Sequence, residues 1–93
     1  MIKHVVMWRY RNKKDIEIAR EQLESMKGKI PSVLNIEIGV NFQDGPASYD
    51  LPLITEHQTR EALDAYQEDA LHSRIKAILG KLSSERVVVD YEI

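Results

Sequence analysis

The hydrophobic period of this chain switches between two residues and about 3.6 residues several times, and the order of those switches leaves few folds open. Residues 2–10 alternate: Ile2, His4, Val6, Trp8 and Tyr10 fall on one face, and Lys3, Val5, Met7 and Arg9 on the other. That pattern, rich in β-branched and aromatic residues, predicts a strand. Asn12 offers an N-cap with Asp15 three residues on, and Ile16, Ala19, Leu23 and Met26 follow at helical spacing. Lys27-Gly28 reads as the helix end, and Pro31 opposes continuation. Alternation returns over residues 33–41, with Leu34, Ile36, Ile38 and Val40 on one side, and again over Tyr49 to Glu56. Pro52 is awkward in that third strand, because it cannot donate to a ladder and implies an edge, a bulge or a break. Thr59 caps a second helical region, and a final strand is predicted over Arg86 to Ile93.

Strand, helix, strand, strand, helix, strand is the split βαβ, ferredoxin-like plan. The predicted fold class is therefore α+β: a four-stranded antiparallel sheet with its helices on one face. With 93 residues the chain makes a single domain, 1–93, with a modest core. The bare sheet face should carry Val5, Met7, Ile54 and Val88 among Lys3, Arg9, Glu37 and Asp90, which is too apolar for open solvent. A second copy packed on that face, a homodimer through the open sheet, is the expected cover.

Composition excludes several classes. The chain has no cysteine, so neither disulfides nor thiolate metal sites arise. A formal charge of −2 with interspersed signs argues against nucleic acid as partner. No apolar run approaches a membrane span, and the Met-Ile-Lys start lacks a signal-peptide core, so a cytoplasmic setting without membrane contact is expected. The three histidines, 4, 57 and 72, lack metal-ligand spacing, and no metal or cofactor is expected. His57 reads as a loop residue after the third strand.

His4, Tyr66 and His72 are the candidate functional residues. An imidazole titrates near neutrality and can move a proton, and a phenol can hydrogen-bond a carbonyl oxygen. Positions 66 and 72 lie about 240° apart on a straight helix. They face one pocket only if the helical region breaks, and Asp69 is a good N-cap for a new helix beginning at Ala70. The alternative readings are a core histidine at 4 and a packing aromatic at 66.

Several segments together resemble the stress-responsive α/β-barrel (Dabb) domain: Met1 to Val6, Lys27 to Asn41, the Tyr49-Asp50-Leu51 stretch, Arg60 to Tyr66, His72, and Arg86 to Tyr91. The resemblance covers nearly the whole chain. It implies a ferredoxin-like protomer, two of which pack sheet to sheet as a dimeric α+β barrel, with a pocket between sheet and helices. A plant member of that family closes a linear polyketide without metal or cofactor, and its key histidine and tyrosine fall on His72 and Tyr66, with a further pocket histidine on His4. The sequence departs where the family commonly has His-Pro-x-His: here it is Asp69-Ala70-Leu71-His72. The expected function is a homodimer with a pocket for a small apolar or carbonyl-bearing ligand, lined by His4, Val6 and Trp8 and carrying no assigned reaction. The alternatives are a cofactor-independent cyclase or isomerase with His72 as general base and Tyr66 stabilising the enolate, or a structural dimer with a filled core.

Overall fold

The computed structural model describes all residues, Met1–Ile93. The elements are β1 (Ile2–Tyr10), α1 (Lys14–Glu24), β2 (Asn35–Ile38), β3 (Leu51–His57), α2 (Arg60–Glu68), α3 (Ala70–Leu82) and β4 (Ser83–Glu92). The strands form one antiparallel sheet in the order β2-β3-β1-β4, the ferredoxin-like arrangement. The helices cover one face. On that side Val6 and Trp8 of β1 and Leu51 and Leu53 of β3 meet Ala19 and Leu23 of α1, and Ile75 and Leu79 of α3, in one buried cluster. Full burial of such aliphatic side chains stabilises by ~1.5–3 kcal/mol each, so the stripe on α3 is what ties that helix to the sheet. No helix is long and apolar enough to cross a membrane.

The second strand is shorter than the predicted 33–41, and Pro52 explains its end. Gly39 donates its N–H to the Pro52 carbonyl at 3.2 Å. In an antiparallel pair of this kind the partner returns a bond, but proline has no N–H to give. The ladder stops one residue earlier, at Ile38 opposite Leu53. The Pro52 ring packs where a side chain at 39 would stand: a Cβ there would lie 3.4 Å from Pro52 Cγ. Leu34 and Val40, predicted to share a face with Ile36 and Ile38, lie outside the strand and are exposed.

The last strand corrects two expectations. Its register sets Val88 beside Val6 and Asp90 beside His4, so both point to the helices and not to the open face. The open face instead carries Val87, Val89 and Tyr91 beside Met7, Val5 and Lys3 of β1. Three consecutive valines fit either phase of alternation, and only pairing with β1 decides between them. His57 is corrected too: it is the last residue of β3 and fully buried.

The break at Asp69 and the Thr59 cap are as read, but α1 ends earlier than the Lys27-Gly28 expected from sequence: its last residue is Glu24 and Ser25 is its C-cap. Gly28 takes a positive φ of 75° in the turns that follow, the left-handed conformation suited to glycine. Thr59 accepts from the Ala62 N–H at 3.1 Å. Asn12 acts one residue outside the observed N-cap, accepting from the Lys14 N–H at 3.0 Å. Gly80 lies inside α3, which runs on to Leu82. A Cβ at 80 would meet nothing within 4 Å. Gly80→Ala is therefore expected to stabilise the protein by about 0.5–1 kcal/mol through helix propensity, as a rise in the urea midpoint at unchanged slope.

Candidate functional site

One side chain creates the site. Asp69 has extended backbone (φ −63°, ψ 134°) between two helices. Its N–H closes α2 on the Tyr66 carbonyl at 3.2 Å, and its Oδ1 opens α3 by accepting from Leu71 N at 2.9 Å and His72 N at 3.3 Å. The change of direction undoes the angular separation a straight helix would impose. Tyr66 and His72 come into ring contact, centroids 4.1 Å apart and planes at 39°. Tyr66 also meets His4 edge-on at 5.9 Å, from below on β1, and His57 at 5.0 Å, from β3. The structure thus brings together all three residues singled out from the sequence, and adds His57 as a fourth.

The imidazoles have different partners. His57 Nδ1 lies 2.8 Å from the Ser32 carbonyl, which can only accept, so that nitrogen carries the proton. Nε2 must then accept from the Thr55 hydroxyl at 2.8 Å. Both ring nitrogens are satisfied, and burial, joined by the His4 charge, pushes the pKa down against the opposing Ser32 bond and Asp90 charge. His57 is a neutral, structural wall behind Tyr66. His4, 1 % exposed, donates from Nδ1 to the Asp90 carboxylate. This leaves Nε2 as its free nitrogen, the orientation that a carboxylate imposes on a histidine used in proton transfer.

Four buried side-chain polar atoms lack a hydrogen-bond partner, and two of them sit on the touching rings: the Tyr66 hydroxyl and His72 Nδ1. An unsatisfied buried polar atom costs about 1–3 kcal/mol, so clustering them is a local expense that the fold must offset elsewhere. Between α3 and the sheet lies a cavity of about 120 Å³. Val6 and Trp8 line it as predicted, with Leu23, Leu53, Ile75 and Leu79, while His4 and His72 supply the buried polar wall. Tyr66 does not line it; its ring lies against both histidines. The remaining lining residues, Lys76, Gly80 and Arg86, are exposed, so the opening lies between α3 and β4. No cluster of three or more His, Cys, Asp or Glu side chains is placed to hold a metal ion.

The family described as the stress responsive A/B barrel domain (Dabb) matches residues 2–93. The chain belongs to that family. A dimeric ferredoxin-like protein of unknown function from Thermobifida fusca superposes with a TM-score of 0.88 at 21 % identity, covering 99 % of this chain and 90 % of that one. A dimeric protein of unknown function and ferredoxin-like fold from Bacteroides fragilis gives 0.83 at 23 % identity, covering 99 % and 95 %. A hydroxynitrile lyase from Passiflora edulis gives 0.84 at 13 % identity, covering 99 % and 92 %. At these identities the likeness is one of fold. Comparison with curated proteins gives no match.

In this Dabb domain the residues missed from sequence are His57, Asp90, Lys76 and Arg86. None is in a local motif with the others, and each reaches the site only through strand register or helix phase. The charges of Lys76 and Arg86 bear on His72. Its pKa is lowered to about 4, chiefly by burial, with Lys76, His4 and Arg86 adding and the Gln67 backbone opposing. For Tyr66, burial pushes the hydroxyl pKa well up, so it stays a neutral phenol.

His72 is therefore neutral at pH 7 and is expected to titrate near pH 4 by NMR, far below the ordinary 6.5. The unfolded chain protonates first, so it binds more protons between these values and stability falls as pH drops through the window. Urea unfolding at pH 5 against pH 7 should show a loss of about 1–2 kcal/mol in the wild type beyond that of His72→Asn. Equal losses in the two proteins would contradict a depressed His72.

Proposed function

We propose that this protein is a homodimer that binds a small, largely apolar, carbonyl-bearing molecule in the cavity between α3 and the sheet. One observation carries the reading: a mostly apolar cavity has two buried imidazoles, His4 and His72, in its wall, and His4 is hydrogen-bonded at Nδ1 only. A carbonyl oxygen or hydroxyl placed against an imidazole of that wall would be hydrogen-bonded, while the rest of the ligand fills the apolar part. The cavity is comparable to the ~150 Å³ hole that accepts benzene in an apolar protein core, so the ligand is of about ring size. A second copy on the open face is supported by the apolar surface of Val87, Val89, Tyr91 and Ile93, all exposed in the single chain, and by the description of related structures as dimeric.

A second reading, turnover, is favoured by the His4–Asp90 pair. A histidine with a pKa of about 4 is a weak base at neutral pH, so His72, the base expected from the sequence, is better suited to hydrogen-bond the substrate oxygen. His4, held by a carboxylate at Nδ1, is the better placed base for a proton next to that carbonyl. Tyr66 would then steady both rings. The reaction class is cofactor-independent proton transfer, as in an isomerase or a polyketide cyclase. That the fold can house an enzyme is supported by the hydroxynitrile lyase that shares it.

The two readings part on one probe, 4-methyl-2-pentanone in D₂O. Binding predicts NMR shift changes at Trp8, His72 and Leu79. Turnover adds exchange of the ketone's α-protons, lost by 10²-fold or more in His4→Gln. Absence of any shift at the cavity residues would sink the binding reading. Tyr66→Phe should raise stability by about 1 kcal/mol, because it deletes an unpaired buried hydroxyl, and should leave any exchange unchanged, because it keeps the ring that packs on both imidazoles.

For the assembly, sedimentation at micromolar concentration is expected to give twice the chain mass of 10.8 kDa. Val89→Glu should yield a folded monomer, and a wild-type species of one chain mass would refute the dimer.

A further inference from the structure

The charges at the cavity opening narrow the ligand further. Lys76 of α3 and Arg86 of β4 are both among the lining residues, and neither takes part in an ion pair. Elsewhere Lys3, Arg9, Lys13, Arg20, Lys27 and Arg60 each pair with a carboxylate, whereas these two cations meet at a cavity with none. The chain carries more acids than bases, 15 against 13, yet no Asp or Glu lines this cavity. The carboxylates closest to the site are occupied. Asp90 accepts from His4, and Asp69 accepts from the Leu71 and His72 N–H groups.

Register explains how Arg86 arrives there. It pairs with Trp8 across β1 and β4, and so shares the helix face with that side chain. Lys76 follows Ile75, a buried residue of the α3 stripe, and emerges at the exposed edge. Two cations of like sign at one opening repel each other, and a bound anion would remove that repulsion. Arg86 and Lys76 also act together on the buried, unpartnered His72, so the three groups share one field.

We propose that the ligand is a small apolar monocarboxylate, its carboxylate held between Lys76 and Arg86 at the opening and its carbon skeleton in the aliphatic cavity, with a further oxygen on its chain able to reach His72. This rests on the binding role proposed for the same cavity and names the class of compound it takes. A 2-oxo or 3-oxo acid of five to seven carbons, on the order of the cavity's capacity, has all three features.

The test uses the wild-type chain and an isosteric pair of probes, 4-methylpentanoate and its neutral amide, titrated by NMR at pH 7. The carboxylate is expected to shift Trp8, His72 and Leu79 and to bind at least about tenfold more tightly than the amide. Binding should also raise the His72 pKa, because a nearby anion favours the imidazolium, and the amide should leave it unchanged. Arg86→Gln and Lys76→Gln should each weaken the carboxylate by about tenfold and the amide by clearly less, because the amide loses a hydrogen bond but no ion pair. Both residues are exposed, so neither variant threatens the fold. Equal affinity for the two probes, or indifference of the carboxylate to both variants, would overturn the anion assignment and leave the cavity a site for neutral ligands. If neither probe nor the ketone perturbs the cavity residues, the binding role fails together with it.

Discussion

The carboxylate of Asp69 is the interaction on which the site depends. By accepting two backbone N–H groups it starts one helix while its own backbone ends another, and the resulting bend sets His72 against Tyr66. A proline at position 70 would enforce such a bend by excluding the helical conformation just before it and by fitting the first helical turn. Ala70 exerts no such constraint, being the best of helix formers. The bend here is held by capping alone. Its energy is the ~1 kcal/mol of a good cap plus the burial of Ile75 and Leu79, which anchors α3 in its new direction.

Around that bend the polar groups divide into satisfied and unsatisfied ones, and the division is chemically useful. His57 and Thr55 saturate each other and the Ser32 carbonyl, so the β3 side is inert and stiff. His4 is anchored at one nitrogen only. His72 and Tyr66 are buried with open hydrogen-bonding capacity. A core optimised for stability alone would place apolar groups there, since a half-satisfied network is worse than none. Open valences beside a small cavity are what a site that recognises a polar atom on an apolar ligand requires, because the ligand then completes the network.

Much of this was legible in the sequence, and the limits have a physical cause. The alternation of residues 2–10 has one phase only, because Ile2, Val6 and Trp8 cannot trade places with Lys3 and Arg9 without exposing a core face. The α1 stripe, the left-handed Gly28 and the Asp69 cap follow from residue chemistry at short range. Residues 87–89 are a run of valines, and there both phases bury equally well, so the sequence leaves the strand's orientation undetermined. Asp90 and Arg86 were hidden for that reason. His57 was hidden because a histidine between Glu56 and Gln58 looks like a loop residue, whereas it ends β3 and its two hydrogen bonds are with Thr55 and with Ser32, far away in the chain.

The fourth strand consequently presents two different surfaces on its two faces, and one register governs both. Arg86, Val88 and Asp90 turn inward to the cavity and to His4, while Val87, Val89 and Tyr91 turn outward. A slip of one residue would exchange the sets: Asp90 would leave His4, Val89 or Tyr91 would replace it, and the outer face would gain Arg86 and Asp90 in place of its apolar surface. The irregularity between Arg9 and Tyr10, where β4 steps out of simple pairing, lies at the end where β4 begins and fixes where the count starts. The apolar outer surface that would meet a second copy and the charged inner surface that shapes the cavity are therefore not independent traits. Any change that loosens β4 against β1 should disturb both at once, which is a stronger linkage than proximity alone would impose, since the two surfaces lie on opposite sides of the sheet.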